Sequence, residues 1–252
     1  MKSYNPHFKD NQRTQDLNYL DQLNQYFEDS AGTNLDKLRN FTKYVPLGEI
    51  NKFLAKEKLF NQILNVHGSV VECGVFHGGG LMTWAVLSAI YEPLNHNRRI
   101  FGFDTFKGFP GVDEKKDNIS FENAAKGALY ADSYHDISRA EELYNMYRPL
   151  GHIKKVNLIK GDVKDTFPSF IEENKHLIVS LLYLDFDLYE PTKLAIETFY
   201  KRMPKGAVIA FDELNIKEWH GETLAVLETI GIENIELRRF THYPQISYAV
   251  KR

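Results

Sequence analysis

The chain has 252 residues, of which 43% are apolar and 26% charged, and its formal net charge is −3. This composition is typical of a globular protein with a sizeable core, and the lack of a basic surplus argues against nucleic acid as a partner. The single cysteine, Cys73, excludes an internal disulfide and a zinc site built on cysteines.

The N-terminal quarter of the chain differs from the rest. Residues 1–65 place apolar side chains at helical spacing and show no strand pattern. We expect a helical N-terminal extension there, acting either as a lid over a ligand or as an oligomer interface. Residues 66–252 then form the main domain.

In the main domain, short apolar runs alternate with longer amphipathic segments. The runs lie at 69–75, 99–104, 155–160, 177–185 and 206–212, and the amphipathic segments lie near 79–91, 138–149, 165–175, 190–202 and 221–230. This alternation predicts an α/β fold with a mostly parallel sheet covered by helices on both faces. Two final runs, 235–240 and 245–250, are joined by four residues and predict an antiparallel hairpin, giving seven strands with an antiparallel edge.

A glycine-rich turn follows the first predicted strand, in residues 72–80. Its glycines and the helix that begins there let a ligand approach the backbone. Glu72 stands immediately before the turn, where a carboxylate repels pyrophosphate but pairs with an ammonium group. The spacing acid-x-Gly-x-x-x-Gly resembles the first motif of class I S-adenosylmethionine methyltransferases. The alternative is a plain strand-to-helix connection with Glu72 as a solvated charge.

Acidic residues also follow the second and third predicted strands. Asp104, next to Thr105, comes where a carboxylate can accept hydrogen bonds from both hydroxyls of a ribose. Asp162 lies where it can recognise an adenine amino group. The alternative for Asp104 is that it caps a surface loop. The alternative for the region after the third strand is that its acidic residue serves only as a helix N-cap, and that this cap is Asp165.

Four carboxylates follow the fourth and fifth predicted strands: Asp185, Asp187, Asp212 and Glu213. Since neighbouring parallel strands end at one edge of the sheet, we expect these side chains to converge. Carboxylates about 4 Å apart repel by roughly 4 kcal/mol per pair at an effective dielectric near 20. Such a cluster takes up protons or binds a hard cation, with Mg²⁺ favoured over Mn²⁺ or Ca²⁺. The alternative is that the carboxylates point apart as helix caps and loop charges.

A long segment, 105–137, separates the second strand from the next helix. Its aromatic residues suggest a loop that covers an acceptor by stacking, and the alternative is a disordered insertion. His135 at its end, and His220 after the fifth strand, compete with Asp187 as a general base. We prefer Asp187 because a rigid strand end holds its backbone.

Five blocks of the chain resemble, in order, those of the macrocin O-methyltransferase family, which includes the mycinamicin and novobiocin sugar methyltransferases. The resemblance covers about residues 68–230, and its blocks are 72–79, 103–110, 165–168, 184–190 and 211–213. It implies a class I, Rossmann-like S-adenosylmethionine-methyltransferase fold and Mg²⁺-assisted methyl transfer to a sugar hydroxyl. The implied metal ligands are Asp185, Asp212 and Glu213, and the implied base is Asp187. The implied donor-site residues are Glu72, Gly74, Gly78, Asp104, Thr105, Asp162 and Asp185.

Two other functions fit the same residues. The scaffold could methylate a catechol or another small diol, or it could bind S-adenosylmethionine or a nucleotide without catalysis. We expect a small-molecule sugar or diol acceptor and a homo-oligomer, a dimer or higher. No apolar run reaches the ~18 residues that cross a bilayer, and residues 1–15 lack a hydrophobic signal segment, so we expect a cytoplasmic protein that does not bind membranes.

Overall fold

The computed structural model describes residues 14–121 and 123–252. The chain divides into two compact units, Met1–Asn51 and Lys52–Arg252. In the first unit, α1 (Thr14–Asp29) and α2 (Asn34–Arg39) confirm the helical character predicted for this region, and a capping box from Thr33 and Asp36 starts α2. Residues 1–13 of the predicted extension lie outside the described residues. The predicted boundary at residue 65 stays a prediction.

A third helix, α3 (Leu47–Gln62), begins in the first unit and continues into the second. Its residues from Lys52 onward belong to the second unit, where Ala55, Leu59 and Phe60 are completely buried. This half of α3 is therefore part of the core of the main domain, although its sequence pattern predicts it as part of the extension.

The second unit contains a seven-stranded sheet in the order β3-β2-β1-β4-β5-β7-β6. The strands are β1 (Ser69–Cys73), β2 (Ile100–Asp104), β3 (Val156–Lys160), β4 (Val179–Leu184), β5 (Val208–Phe211), β6 (Arg238–Arg239) and β7 (Ser247–Val250). The pairs among β1 to β5 are parallel, whereas β7 pairs antiparallel with both β5 and β6. The predicted mostly parallel sheet with an antiparallel edge is confirmed. The strand order reverses between β1 and β4, and ligands of open α/β sheets bind at such a point.

Helices cover both faces of this sheet. They are α4 (Gly79–Tyr91), α5 (Tyr134–Tyr147), α6 (Val163–Glu173), α7 (Tyr189–Phe199) and α8 (His220–Thr229). One core cluster joins Val71 and Cys73 of β1 to α6, α7 and α8, and the other joins Val70 to α3, α4 and α5. Successive strand residues face opposite sides of the sheet, and helices cover both sides. As a result, β1 and β4 are buried along their whole length, which explains why both are apolar runs in the sequence.

The hairpin edge is shorter than the sequence predicts. The run 235–240 contributes only Arg238–Arg239 to the sheet, and a 3₁₀ helix at Ile232–Asn234 precedes the run. None of the helices in the described part of the chain combines the length and the apolar character that a membrane span requires.

The long segment after β2 is folded against the main domain in its described residues. Phe109 and Phe121 pack edge-on against Trp219, with ring centroids 5.9 and 5.0 Å away. Asp117 accepts a hydrogen bond from the backbone N–H of Tyr189 at 2.8 Å, at the start of α7. The segment is thus held by contacts to α7 and to the residue preceding α8. It ends at residue 133, since α5 begins at Tyr134, so His135 lies in a helix and not in the loop.

Candidate active site at the carboxyl edge of the sheet

The turn after β1 touches the end of β4. Gly74 has φ +91°, its N–H donates to Phe103 O at 2.9 Å, and a Cβ at this position would overlap the carbonyl oxygen of Asp185. The N–H of Asp185 in turn donates to Cys73 O at 2.8 Å. Gly78, the N-cap of α4, has φ +84°, and a Cβ there would lie 2.6 Å from Ile137 Cγ1. Both predicted glycines are therefore required by close packing within the protein.

Replacing Gly74 by Ala is expected to destabilise the fold by about 3 kcal/mol or more, because a side chain is strained at this φ and collides with the backbone of β4. Gly79→Ala is the matched control, since a Cβ there meets nothing within 4 Å. We expect Gly79→Ala to change the free energy of unfolding by less than about 1 kcal/mol. Urea unfolding measures both variants, and equal stabilities would contradict this interpretation of the turn.

The carboxylate of Glu72 is buried and already paired inside the protein. Glu72 is 2% exposed, its Oε2 accepts a hydrogen bond from Trp84 Nε1, and Lys56 Nζ of α3 lies 3.6 Å from the same oxygen. Burial raises the pKa of Glu72 and lowers that of Lys56. Glu72 is thus not the solvated charge of the alternative interpretation, and its predicted contact with the donor stays a prediction. Gly80 leaves the space for this pair, because a Cβ there would collide with Glu72 Oε1.

Asp104 connects the end of β2 to the glycine turn. Its Oδ2 accepts hydrogen bonds from the N–H groups of Val75 at 2.8 Å and Phe76 at 2.9 Å, and its Oδ1 accepts from Phe106 N–H at 2.7 Å. A carboxylate has about four acceptor sites, so capacity for a further bond remains. The alternative that Asp104 caps a loop is correct in part, and the predicted ribose contact stays a prediction.

Two other predicted donor-site residues stabilise local backbone. Thr105 Oγ1 donates to Gly108 O at 2.6 Å and accepts from Lys107 N–H at 3.0 Å. Asp162 is the N-cap of α6 and accepts from Lys164 N–H at 3.0 Å. The cap of this helix is therefore Asp162, and the alternative that placed Asp165 there is wrong.

The ends of β4 and β5 bring Asp185 and Asp212 to one cation. Lys52 Nζ of α3 lies 3.1 Å from Asp212 Oδ2 and 3.7 Å from Asp185 Oδ2, and the Tyr183 hydroxyl donates to Asp212 Oδ1. Burial opposes the ionisation of Asp212, but Lys52 and the Tyr183 hydrogen bond bring its pKa below the ordinary value. Burial, together with the charge of Asp212, raises the pKa of Asp185 to about 7. The predicted convergence of these two carboxylates is observed.

Three further acids lie at this edge. Asp187, with φ +63° and 7% exposure, precedes α7, and burial followed by the charges of Asp185 and Asp212 raises its pKa well above the ordinary range. Burial and then Asp212 raise the pKa of Glu213 to about 11. Glu222 of α8, which no sequence pattern indicates, is fully buried and accepts a hydrogen bond from Glu213 N–H at 3.0 Å. The raised pKa values mean that Asp187, Glu213 and Glu222 hold protons at neutral pH, and an additional positive charge at this edge would favour their ionised forms.

The predicted Mg²⁺ ligands do not fit a metal ion in this arrangement. Within residues 14–121 and 123–252, no group of three His, Cys, Asp or Glu side chains is placed to hold a metal. The ammonium group of Lys52 instead lies against two of the three predicted ligands, Asp185 and Asp212.

The two histidines proposed as bases lie in different settings from Asp187. His135 is exposed in the first turn of α5, with its ring 5.4 Å from that of Tyr134. His220 Nδ1 lies 3.1 Å from Lys217 O at the start of α8. Asp187 is buried, and the charges of Asp185 and Asp212 act on its pKa, so among the three candidate bases it is the one electrostatically coupled to the acidic edge.

Comparison with known proteins gives a consistent set of similarities. The family described as Macrocin-O-methyltransferase (TylF) matches residues 53–227. Demethyldecarbamoylnovobiocin O-methyltransferase of Streptomyces niveus is 25% identical over 150 residues, which is 59% of this chain and 53% of that protein. The chain thus spans about half the length of this curated relative.

Solved structures match over almost the whole chain. The calicheamicin methyltransferase CalS11 is 30% identical, with 95% of this chain and 93% of that chain covered and a TM-score of 0.89. An apo structure of CalS11, described as a TDP-rhamnose 3′-O-methyltransferase, is 28% identical, with 95% of each chain covered and a TM-score of 0.82.

Proposed function

Because the chain belongs to the macrocin O-methyltransferase family, with its class I S-adenosylmethionine-methyltransferase fold, we propose that it transfers a methyl group from S-adenosylmethionine to a sugar hydroxyl. The observation that supports this most strongly is the near full-length similarity to CalS11. Since CalS11 is described as acting on TDP-rhamnose, we propose a nucleotide-linked deoxyhexose as the first acceptor to test.

The acidic edge suits this chemistry electrostatically. The methyl group of a sulfonium is already electrophilic, so the difficult part is to activate a weakly nucleophilic hydroxyl. In our proposal Asp187 accepts the hydroxyl proton, while the ends of β1, β2 and β4 align oxygen, methyl carbon and sulfur. A bound sulfonium beside Asp187 favours its ionised form and lowers its raised pKa, which couples activation of the base to donor binding.

After transfer, the product S-adenosylhomocysteine is neutral at sulfur. The acidic edge then loses the positive charge that compensated it, which weakens product binding relative to the donor. Our proposed donor-site residues remain those of the sequence prediction: Glu72, Gly74, Gly78, Asp104, Thr105, Asp162 and Asp185. They lie in or after β1, β2, β3 and β4, toward the carboxyl ends of these strands, and ligands of open α/β sheets bind at that edge, which supports this assignment.

Methyl transfer from labelled S-adenosylmethionine to a set of acceptors tests the function. The set contains TDP-rhamnose, free rhamnose, a phenyl rhamnoside and catechol, and mass spectrometry locates the label. We expect label on the sugar, fastest with TDP-rhamnose. Faster labelling of catechol would favour the small-diol alternative. Donor binding by calorimetry without transfer to any acceptor would favour the non-catalytic alternative.

The Mg²⁺ requirement predicted from the sequence stays a prediction. Carboxylate oxygens are suitable ligands for a hard divalent ion, although their present arrangement around Lys52 does not fit one. Activity lost after EDTA treatment and restored by Mg²⁺ would confirm the requirement, and full activity in EDTA would contradict it. The homo-oligomer and the cytoplasmic location also stay predictions, and sedimentation velocity tests the first of them.

A further inference from the structure

Lys52 contacts carboxylates from two different strands. Its ammonium nitrogen lies 3.1 Å from Asp212 Oδ2 and 3.7 Å from Asp185 Oδ2, and the side chains of Lys52, Asp185 and Asp212 are 28%, 26% and 4% exposed. The contact therefore stands at the border between the buried core and solvent. It links α3 to the carboxyl ends of β4 and β5.

The ammonium group of Lys52 neutralises Asp212, which is the more deeply buried of the two carboxylates. Asp212 accepts hydrogen bonds from Lys52 and from the Tyr183 hydroxyl, one on each oxygen. The next lysine on the same helix, Lys56, forms an ion pair with Glu72, with its Nζ 3.6 Å from Glu72 Oε2. The charge that holds Asp185 and Asp212 together in the described structure is thus the ammonium group of Lys52.

We propose that Lys52 and a divalent cation compete for Asp185 and Asp212, so that a metal ion binds this edge only when the lysine leaves. A divalent ion held by these two carboxylates would need their oxygens at about 2.0–2.1 Å for Mg²⁺, and one oxygen of each, Oδ2, faces Lys52. An ammonium group and a metal ion in contact with the same two oxygens repel each other. The lysine therefore sets the metal affinity of this site, independently of the proposed methyl transfer.

Metal binding by charge-matched variants tests the competition. Mn²⁺ is titrated into wild-type protein, Lys52→Met and Lys58→Met, with binding followed by electron paramagnetic resonance. Lys58 is the control because it is exposed on the same helix. We expect Lys52→Met to bind Mn²⁺ at least tenfold more tightly than wild type and Lys58→Met. Equal affinities, or no binding to Lys52→Met, would overturn the proposal.

A second measurement uses the wild-type protein and needs no variant. Acylation of lysine amines is followed residue by residue by mass spectrometry as Mn²⁺ is added. Competition predicts that Lys52 labelling increases several-fold on saturation while Lys58 labelling stays constant. Unchanged labelling of Lys52 would overturn the proposal even if Lys52→Met failed to fold. Both measurements detect metal binding, so neither depends on the outcome of the methyltransferase assay.

Discussion

Replacing Asp187 by Asn is expected to lower the rate of methyl transfer by about 10³-fold while leaving the affinity for S-adenosylhomocysteine within about threefold of wild type. A positioned general base contributes about 10²–10⁴-fold, and Asn keeps the shape of Asp but cannot accept the proton. Asn also tolerates the left-handed backbone of this position, where φ is +63°. Turnover at saturating donor and calorimetry measure the two effects.

Controls separate the base from a general effect of charge. Asp165→Asn removes an exposed carboxylate in the first turn of α6 and is expected to keep normal turnover. His135→Gln tests the competing base and is expected to reduce turnover by less than about threefold, because that ring is exposed. Normal turnover of Asp187→Asn would eliminate Asp187 as the base, and a large loss in His135→Gln would transfer the role to the histidine.

The second large effect concerns stability. Lys56→Met is expected to lower the free energy of unfolding by about 3–5 kcal/mol, because it leaves the carboxylate of Glu72 buried without its cation. Lys56 also stacks on Tyr183, with Nζ 4.0 Å from the ring centroid, so part of the loss is packing. Urea unfolding of Lys56→Met, Glu72→Gln and the double variant measures the coupling between the two side chains.

The double variant should recover part of the loss, because it removes both buried charges. Lys58→Met, on the same helix but exposed, is the control and should change stability by less than about 0.5 kcal/mol. A loss in Lys56→Met no greater than in Lys58→Met would contradict a structural role for the buried pair.

Local sequence patterns predict much of this fold. The alternation of apolar runs and amphipathic segments indicates the layers, and Asp185 and Asp212 follow adjacent strands, so their convergence is predictable from topology. The hairpin edge is less predictable, because only Arg238–Arg239 of the predicted run 235–240 enter the sheet, and a 3₁₀ helix at Ile232–Asn234 lies directly before that run. Short apolar runs do not by themselves distinguish a strand from a tight helical turn.

The cations of the site are what the sequence pattern misses. Lys52 and Lys56 lie on α3, before the first strand, and which helix reaches the edge of the sheet is decided by tertiary packing. The sequence does contain a signal that Lys56 is buried, because its spacing places it on the same helical face as the apolar residues Leu59, Phe60 and Ile63, which are all buried. Glu222 leaves no such signal. Asp104 is placed correctly at the end of β2, but the backbone N–H groups that it binds become apparent only in the folded turn.

The position of the donor tests the central claim most directly. A crystal structure of the protein with S-adenosylhomocysteine should show the ligand at the carboxyl ends of β1 and β2, with its sulfur directed toward Asp187 across the switch point. A ligand bound elsewhere, or a sulfur that points away from the acidic residues after β4 and β5, would contradict the proposed catalytic arrangement.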